Sequence, residues 1–268
     1  MRTLNLVMLA IFYLSVAWGQ TAEEILWKTQ AAYRGLTNYV DEGTYIKSAR
    51  NYPGQNTPNF YMAIDRNENV NQWLHDEISG KLSGAQYVKS EKEALGSYTR
   101  IGTQDPSFLC SISEAGARLM GTGGDIFFII NSLFYPGYRL GMTNDSSYIL
   151  HFDNAQKLAD TTINGASCYV IKTHITTEIT EEFAARSNFT HDSMFHLLDL
   201  PVEQRGGPRT EPGPRSTAYK YFIRKSDFMI VHYERFSLEG DTDIVNYHLV
   251  LTLSPRYNVK HFVKYLEQ

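Results

Sequence analysis

The sequence has no surplus of positive charge. Its 25 Lys+Arg stand against 29 Asp+Glu, a formal net charge of −4. A nucleic-acid-binding protein would show a basic stripe and a high pI, so that class of partner is excluded. Nor is the chain poor in aromatics, as a disordered one would be: 14 Phe, 18 Tyr and 3 Trp within a 43% hydrophobic composition give it ample surface to bury. Cysteine is scarce. Cys110 and Cys168 are the only two, and with no His clustered beside them a structural zinc site is not indicated. The signatures HExxH, Gly-x-Ser-x-Gly and the P-loop are missing, and no period of about 20–50 residues repeats. Nothing in this list names a reaction, and the expectation is a protein that is not an enzyme and needs no cofactor and no metal.

One long apolar run exists, and it stands at the start. After the basic Met1-Arg2-Thr3, the stretch Leu4 to Trp18 is 15 residues long, short of the roughly 20 that span a bilayer. Ala17 and Gly19 place small residues at the −3 and −1 positions before Gln20, so residues 1–19 read as a secretory signal peptide. An uncleaved anchor is the alternative reading of the same run. Residues 20–268 read as a single domain, expected to be exported to a periplasmic or extracellular compartment with no transmembrane span. Disulfides persist there. Cys110 and Cys168 are thus a candidate bridge, with two free thiols equally open.

Beyond the leader, Ala22 to Leu36 carries Ile25, Ala32 and Leu36 near one face of a helix, and Gly35 is a stop signal. Strand patterns follow at Tyr39–Ser48, around Phe60/Met62/Ile64, and at Val70–His75, Ala85–Lys89 and Ser97–Ile101. Two short helices are predicted at Ser113–Met120 and from Asp125 to about Phe134. Further strands are predicted at Tyr148–Phe152 and Ser167–Thr177, with Asn164-Gly165 as a turn between them. Glu181 to Leu200 reads as partly helical, and Val202–Ser216, rich in Pro, Gly and Arg, as an exposed loop. Thr217–Lys225, Phe228–Leu238 and Ile244–Leu253 follow each other closely enough to predict an antiparallel meander, with a last strand at Val259–Leu266. The sum is a mainly β chain with a few helices (α+β): one long, strongly curved antiparallel sheet with helices available to cover its concave face.

The eight His do not assemble into a known site. His191 and His196 are five residues apart, which is not the helical i, i+4 spacing. His174, His232 and His248 lie in separate strands, where half-exposed imidazoles are the ordinary case. Arg205, Arg209 and Arg215 lie in the Pro/Gly segment and read as solvated charges. The aromatic and aliphatic surplus is either a packed core or the wall of an apolar pocket, and pattern leaves both open.

The order of motifs does point to a family. A leader precedes a helix that runs into AAYRGLTNYVDEGTY (Ala31–Tyr45). Then come Pro58-Asn59-Phe60, a helical insert, INGASCYVIKT (Ile163–Thr173) and YFIRKSDFMIVHYE (Tyr221–Glu234). This resembles the LolA/LolB-like superfamily of outer-membrane lipoprotein carriers, closest to its secreted members of unassigned role. The resemblance implies a half-open, strongly curved antiparallel β-barrel with a helical lid over an apolar concave face. It implies a cavity for lipid or lipoprotein acyl chains lined by Phe60, Met62, Ile64, Phe127, Ile130 and Phe134, with Tyr169 and Ile171 of the Ser167–Thr177 strand. It also allows an envelope protein partner. Thr57 stands where the carriers have an arginine that helps govern opening. The other reading is a secreted protein-interaction module of the same fold with a packed core.

Overall fold

In the computed structural model, residues 19–49, 59–66, 70–76, 82–89, 94–100, 108–111, 129–130, 133–134, 150, 152, 154–185, 188–189, 211–238 and 245–259 are described. Helix α1 (Ala22–Arg34) starts at Thr21, whose hydroxyl accepts from the Glu24 N–H at 3.1 Å while the Glu24 carboxylate accepts from the Thr21 N–H at 3.1 Å. This reciprocal pair satisfies two amides that the first turn leaves orphaned. The helix closes at Gly35, whose N–H donates to the carbonyls of Ala31 and Ala32, while the Leu36 N–H donates to that of Tyr33.

The described strands are β1 (Asn38–Ala49), β2 (Asn59–Asp65), β3 (Val70–Asp76), β4 (Leu82–Lys89), β5 (Ala94–Arg100), β6 (Phe108–Ser111), β7 (Gln156–Lys157), β8 (Thr161–Ile163), β9 (Ala166–Ile179), β10 (Gly213–Arg224), β11 (Ile230–Leu238), β12 (Val245–Leu253) and β13 (Arg256–Tyr257). They make one 13-stranded antiparallel sheet in the order β6-β5-β4-β3-β2-β1-β12-β11-β10-β9-β7, with β13 on β1 and β8 on β9. The sheet is two meanders run together. β1 to β6 step outward in one direction, β12 back to β9 in the other, and β1 joins β12 from Gly43↔Leu253 to Ala49↔Tyr247. Among the described residues no ladder joins β6 to β7, so the sheet is open.

Local chemistry fixes the turns. Asn164 (φ 49°) and Gly165 (φ 79°) form a two-residue left-handed loop between Ile163 and Ala166, the geometry that matches strand twist. At the β10–β11 turn, Asp227 accepts two hydrogen bonds from Arg224 at 2.9 and 2.6 Å and one from the Met229 N–H at 3.3 Å. At the other end of the sheet's centre, the Asn38 amide donates to the Val259 carbonyl and accepts from its N–H, each at 2.8 Å, which ties the chain after β13 to β1.

The structure corrects two expectations and decides one open alternative. The exposed loop expected at Val202–Ser216 gives way to strand at Gly213, where a φ of 126° turns the chain into register with Ile179; Ser216 is buried and its hydroxyl lies 3.2 Å from that of Thr176. Leu150 and Phe152 are not in a strand: Leu150 joins the core, and the Phe152 ring packs on Trp27 of α1 with centroids 4.6 Å apart. The candidate Cys110–Cys168 bridge is not formed. Cys168 is a buried free thiol on β9, and Cys110 lies on β6, with eight strands between them in the sheet order. The leader to Trp18, the Ser113–Met120 helix, residues 202–210 and residues 260–266 of the last expected strand lie outside the described residues.

Gly43 marks where β1 comes closest to its neighbours. A Cβ there would stand 1.9 Å from the Thr252 carbonyl oxygen and 2.8 Å from the Phe60 ring. The ring could turn away, but the backbone oxygen belongs to the β1–β12 ladder and could not. Gly43→Ala is therefore expected to lower stability by at least about 3 kcal/mol, the upper end of ordinary overpacking. Urea unfolding reads this as a lower midpoint at unchanged slope. A loss under about 0.5 kcal/mol, the usual size of a neutral surface change, would refute the close approach.

Candidate ligand-binding face

Residues directly opposite in an antiparallel ladder share a face, so the registers sort side chains across the sheet. One row runs Tyr45, Leu251, Tyr233, Tyr221, Ile171 through β1, β12, β11, β10 and β9. On the same face β1 pairs Tyr39 with Ile64, Asp41 with Met62 and Gly43 with Phe60. This is the face that α1 covers. Ile25, Leu26 and Tyr33 of the helix are fully buried in one core cluster with Met62, Ile64, Ile171, Tyr221, Tyr233, Leu249 and Leu251. At about 25 cal/mol per Å² of buried apolar area, this cluster is the main favourable term holding helix to sheet.

Of the candidate cavity residues, Phe60, Met62, Ile64, Ile130, Phe134 and Ile171 all lie in that one cluster, and Tyr169 packs against it half-buried. Phe127 lies outside the described residues. The segment carrying Phe134 is held to the end of β2 by Arg66, whose guanidinium lies over the Phe134 ring, 4.4 Å from its centroid, and donates to the Phe134 carbonyl.

Along the strands the same face changes character. The row beyond Tyr45–Ile171 is Leu249, Arg235, Tyr219, Thr173, and the next includes Ser237, Thr217 and Ile175, which are only half-buried. In the other direction lie Leu253, Ile223 and Tyr169, beside the Tyr33 end of α1. The face thus grades from aliphatic, through tyrosine, to Arg, Ser and Thr.

A buried polar relay crosses the aliphatic end. The Ile230 N–H donates to the Tyr33 hydroxyl at 3.1 Å, the Tyr33 and Tyr39 rings pack with centroids 5.5 Å apart, and the Tyr39 hydroxyl donates to Asp41 Oδ2 at 2.5 Å. The Ser254 N–H donates to Asp41 Oδ1 at 2.6 Å. Burial pushes the Asp41 carboxyl up to about 7, against the pull of the Tyr39 and Ser254 hydrogen bonds. Sequence reasoning missed Asp41, Arg66 and Arg235. The signal for Asp41 and Arg235 was phase: each falls two residues from a tyrosine, Tyr39 or Tyr233, that faces the helix.

The three strand His occupy the opposite face. His174, Ala218, Phe236 and His248 form one row, and the His248 ring stacks on Phe236 at 4.4 Å. His232 Nε2 is 3.4 Å from Glu234, its Nδ1 is 3.4 Å from the Thr252 hydroxyl, and Lys220 also pairs with Glu234 at 3.2 Å. Thr, His and Glu do meet here. Thr252, however, sits in a strand paired on both sides, where the ladder employs the backbone amides that an oxyanion would need.

No protein-family model and no curated protein matches the chain. Among solved structures, the lipoprotein LppX of Mycobacterium tuberculosis is similar with a TM-score of 0.44 at 12% identity, over 91% of this chain and 98% of that one. LprF of Mycobacterium bovis gives 0.38 at 12%, over 92% and 98%. A LolA superfamily protein from Nitrosomonas europaea gives 0.29 at 12%, over 90% and 95%. These are likenesses of layout at low scores and say nothing of this chain's ligand. No helix among the described residues is long and apolar enough to cross a membrane.

Asp41 makes a pH dependence testable. Its folded value of about 7 lies above the roughly 3.9 of an unfolded aspartate, so the folded state holds the extra proton in between. The stabilisation is complete below about pH 4 and is lost as pH rises through about 7, by up to about 4 kcal/mol. Urea unfolding between pH 4 and 8 should show this fall in the wild type and a flatter profile in Asp41→Asn. Parallel profiles would remove Asp41 as the source.

Proposed function

We propose that the protein is an exported, non-enzymatic binder of lipid or lipoprotein acyl chains. It holds them against the concave, helix-covered face of a half-open barrel, with Phe60, Met62, Ile64, Phe127, Ile130, Phe134, Tyr169 and Ile171 along the apolar path. The observation that carries this reading is a mismatch of size. α1 has 13 residues, about 20 Å of helix, while the main path of 11 strands spans about 48 Å at the usual strand spacing. A helix of that length covers less than half of the width, in a sheet left open at its ends. An acyl chain is suited to the remainder, since each buried CH₂ contributes about 0.8 kcal/mol and no directional chemistry is required.

A second reading, a protein-interaction module with a packed core, is favoured by the complete burial of Met62, Ile64, Ile130 and Phe134. A partner in the envelope would then dock elsewhere.

Native mass spectrometry of protein purified from its own envelope fraction without detergent separates the two. A discrete added mass that fragments to acyl chains is the outcome expected for the lipid binder. A bare chain lacking residues 1–19, with no binding of fluorescent acyl probes, would reject lipid carriage in favour of the interaction module.

A further inference from the structure

Two polar groups on the helix-covered face have no evident structural use. The Tyr221 hydroxyl and the Thr173 hydroxyl are both fully buried, and neither makes a hydrogen bond by geometry. The Thr173 hydroxyl stands near enough to draw down the Tyr221 pKa, which burial raises far more, but the pair falls short of a formed hydrogen bond. A hydroxyl buried without a partner destabilises a fold, and a phenylalanine or valine of similar shape would avoid that cost. Both hydroxyls also sit at one place in the gradient. Tyr221 belongs to the tyrosine row and Thr173 to the row that carries Arg235, next to Tyr219. The Tyr219, Tyr221 and Tyr233 rings pack together with centroids 5.7 to 6.4 Å apart, and the positive charge of Arg235 is felt at Tyr221.

We propose that Tyr221, Thr173 and Arg235 form the head-group subsite of this face, and that the ligand is a long-chain lipid with an anionic carboxylate head. The inference rests on the acyl-chain reading and adds the ligand's polarity and direction. Two hydroxyl donors and a guanidinium in the same row as Thr173 suit an acceptor-rich group, and a carboxylate is acceptor-only when ionised. The tail then runs from the tyrosine row towards Leu253, Phe60 and Met62, where the face is aliphatic, and the head lies towards the half-buried Thr217 and Ser237. Tyrosine suits the junction, because its ring packs against a methylene chain while its hydroxyl meets the head.

The test displaces a neutral pyrene-labelled hydrocarbon from the full chain with dodecanoate and, separately, with dodecanol. These share a chain and differ in the head. The wild type is expected to favour dodecanoate by about tenfold or more, the effect of charge-assisted hydrogen bonds. Tyr221→Phe and Thr173→Val should each cut that preference to under about threefold, by weakening dodecanoate more than dodecanol, whose neutral hydroxyl makes the weaker hydrogen bond. The ligand-free Tyr221→Phe protein should melt at the same or a higher temperature, since it loses a hydroxyl that the fold does not use. Equal affinity of the wild type for both ligands would overturn the head-group subsite and leave acyl-chain binding standing. Preference retained in both variants would also overturn it. Displacement by neither ligand would overturn the subsite and the lipid reading together.

Discussion

The pairing of β1 with β12 is the contact on which the rest of the fold depends. It joins residues about two hundred positions apart, such as Ser48 and His248, and it is the main ladder between the two meanders, with β13 adding a short one on β1. Closing so long a loop carries an entropic cost that grows slowly with length, and the ladder hydrogen bonds offset it only together with burial. Gly43 lets β1 lie against the Thr252 carbonyl and under the Phe60 ring. Asp41, two residues earlier on the same face, accepts from the Ser254 N–H just past the end of β12. The junction is therefore fixed by shape at one residue and by a hydrogen bond at the next one inward.

That junction also positions the helix. Asp41 holds Tyr39, Tyr39 packs on Tyr33, and Tyr33 accepts from the Ile230 N–H at the start of β11. A single polar relay thus ties α1, β1, β11 and the chain after β12 across otherwise apolar packing. Apolar burial supplies more energy but little direction, and it would tolerate α1 sliding along the sheet. The relay would not, because any slide leaves buried oxygens or amides without partners. The helix is held at the aliphatic end, and the Arg235 end of the same face lies beyond its Tyr33 anchor.

Much of the local structure was legible in the sequence, and the reasons are particular. Gly35 ended the helix, and Asn164-Gly165 set a hairpin because left-handed φ values favour those residues. The β10–β12 meander followed from short connections. β7 and β8, of two and three residues, are too short to show alternation. Gly213–Ser216 looked like loop because Pro, Gly and Arg crowd there, yet pairing with β9 overrides composition. Of the candidate site, Phe60, Met62 and Ile64 were legible because they alternate within β2, Ile171 because it alternates within β9, and Ile130 and Phe134 from helical spacing. Its polar members, Thr173, Tyr221 and Arg235, come from three strands, and only the registers place them together.

The two faces of the sheet differ in their polar contacts, although His248 Nε2 on the far face is also buried without a hydrogen bond and Asp41 on the helix face is fully bonded. On the far face, Lys220, Glu234 and His232 satisfy one another at 3.2 and 3.4 Å, and the Phe236 and His248 rings stack. Lys220 and Glu234 there are paired at close range, as is ordinary for half-exposed charges. On the helix face the polar side chains follow a gradient, and the Tyr221 and Thr173 hydroxyls are buried without a formed hydrogen bond. A core selected for stability alone would replace Tyr221 and Thr173 with apolar side chains of similar shape. On the proposed reading, two such hydroxyls where the face turns from aliphatic to polar are what a wall shaped around an amphiphile requires and a sealed core does not.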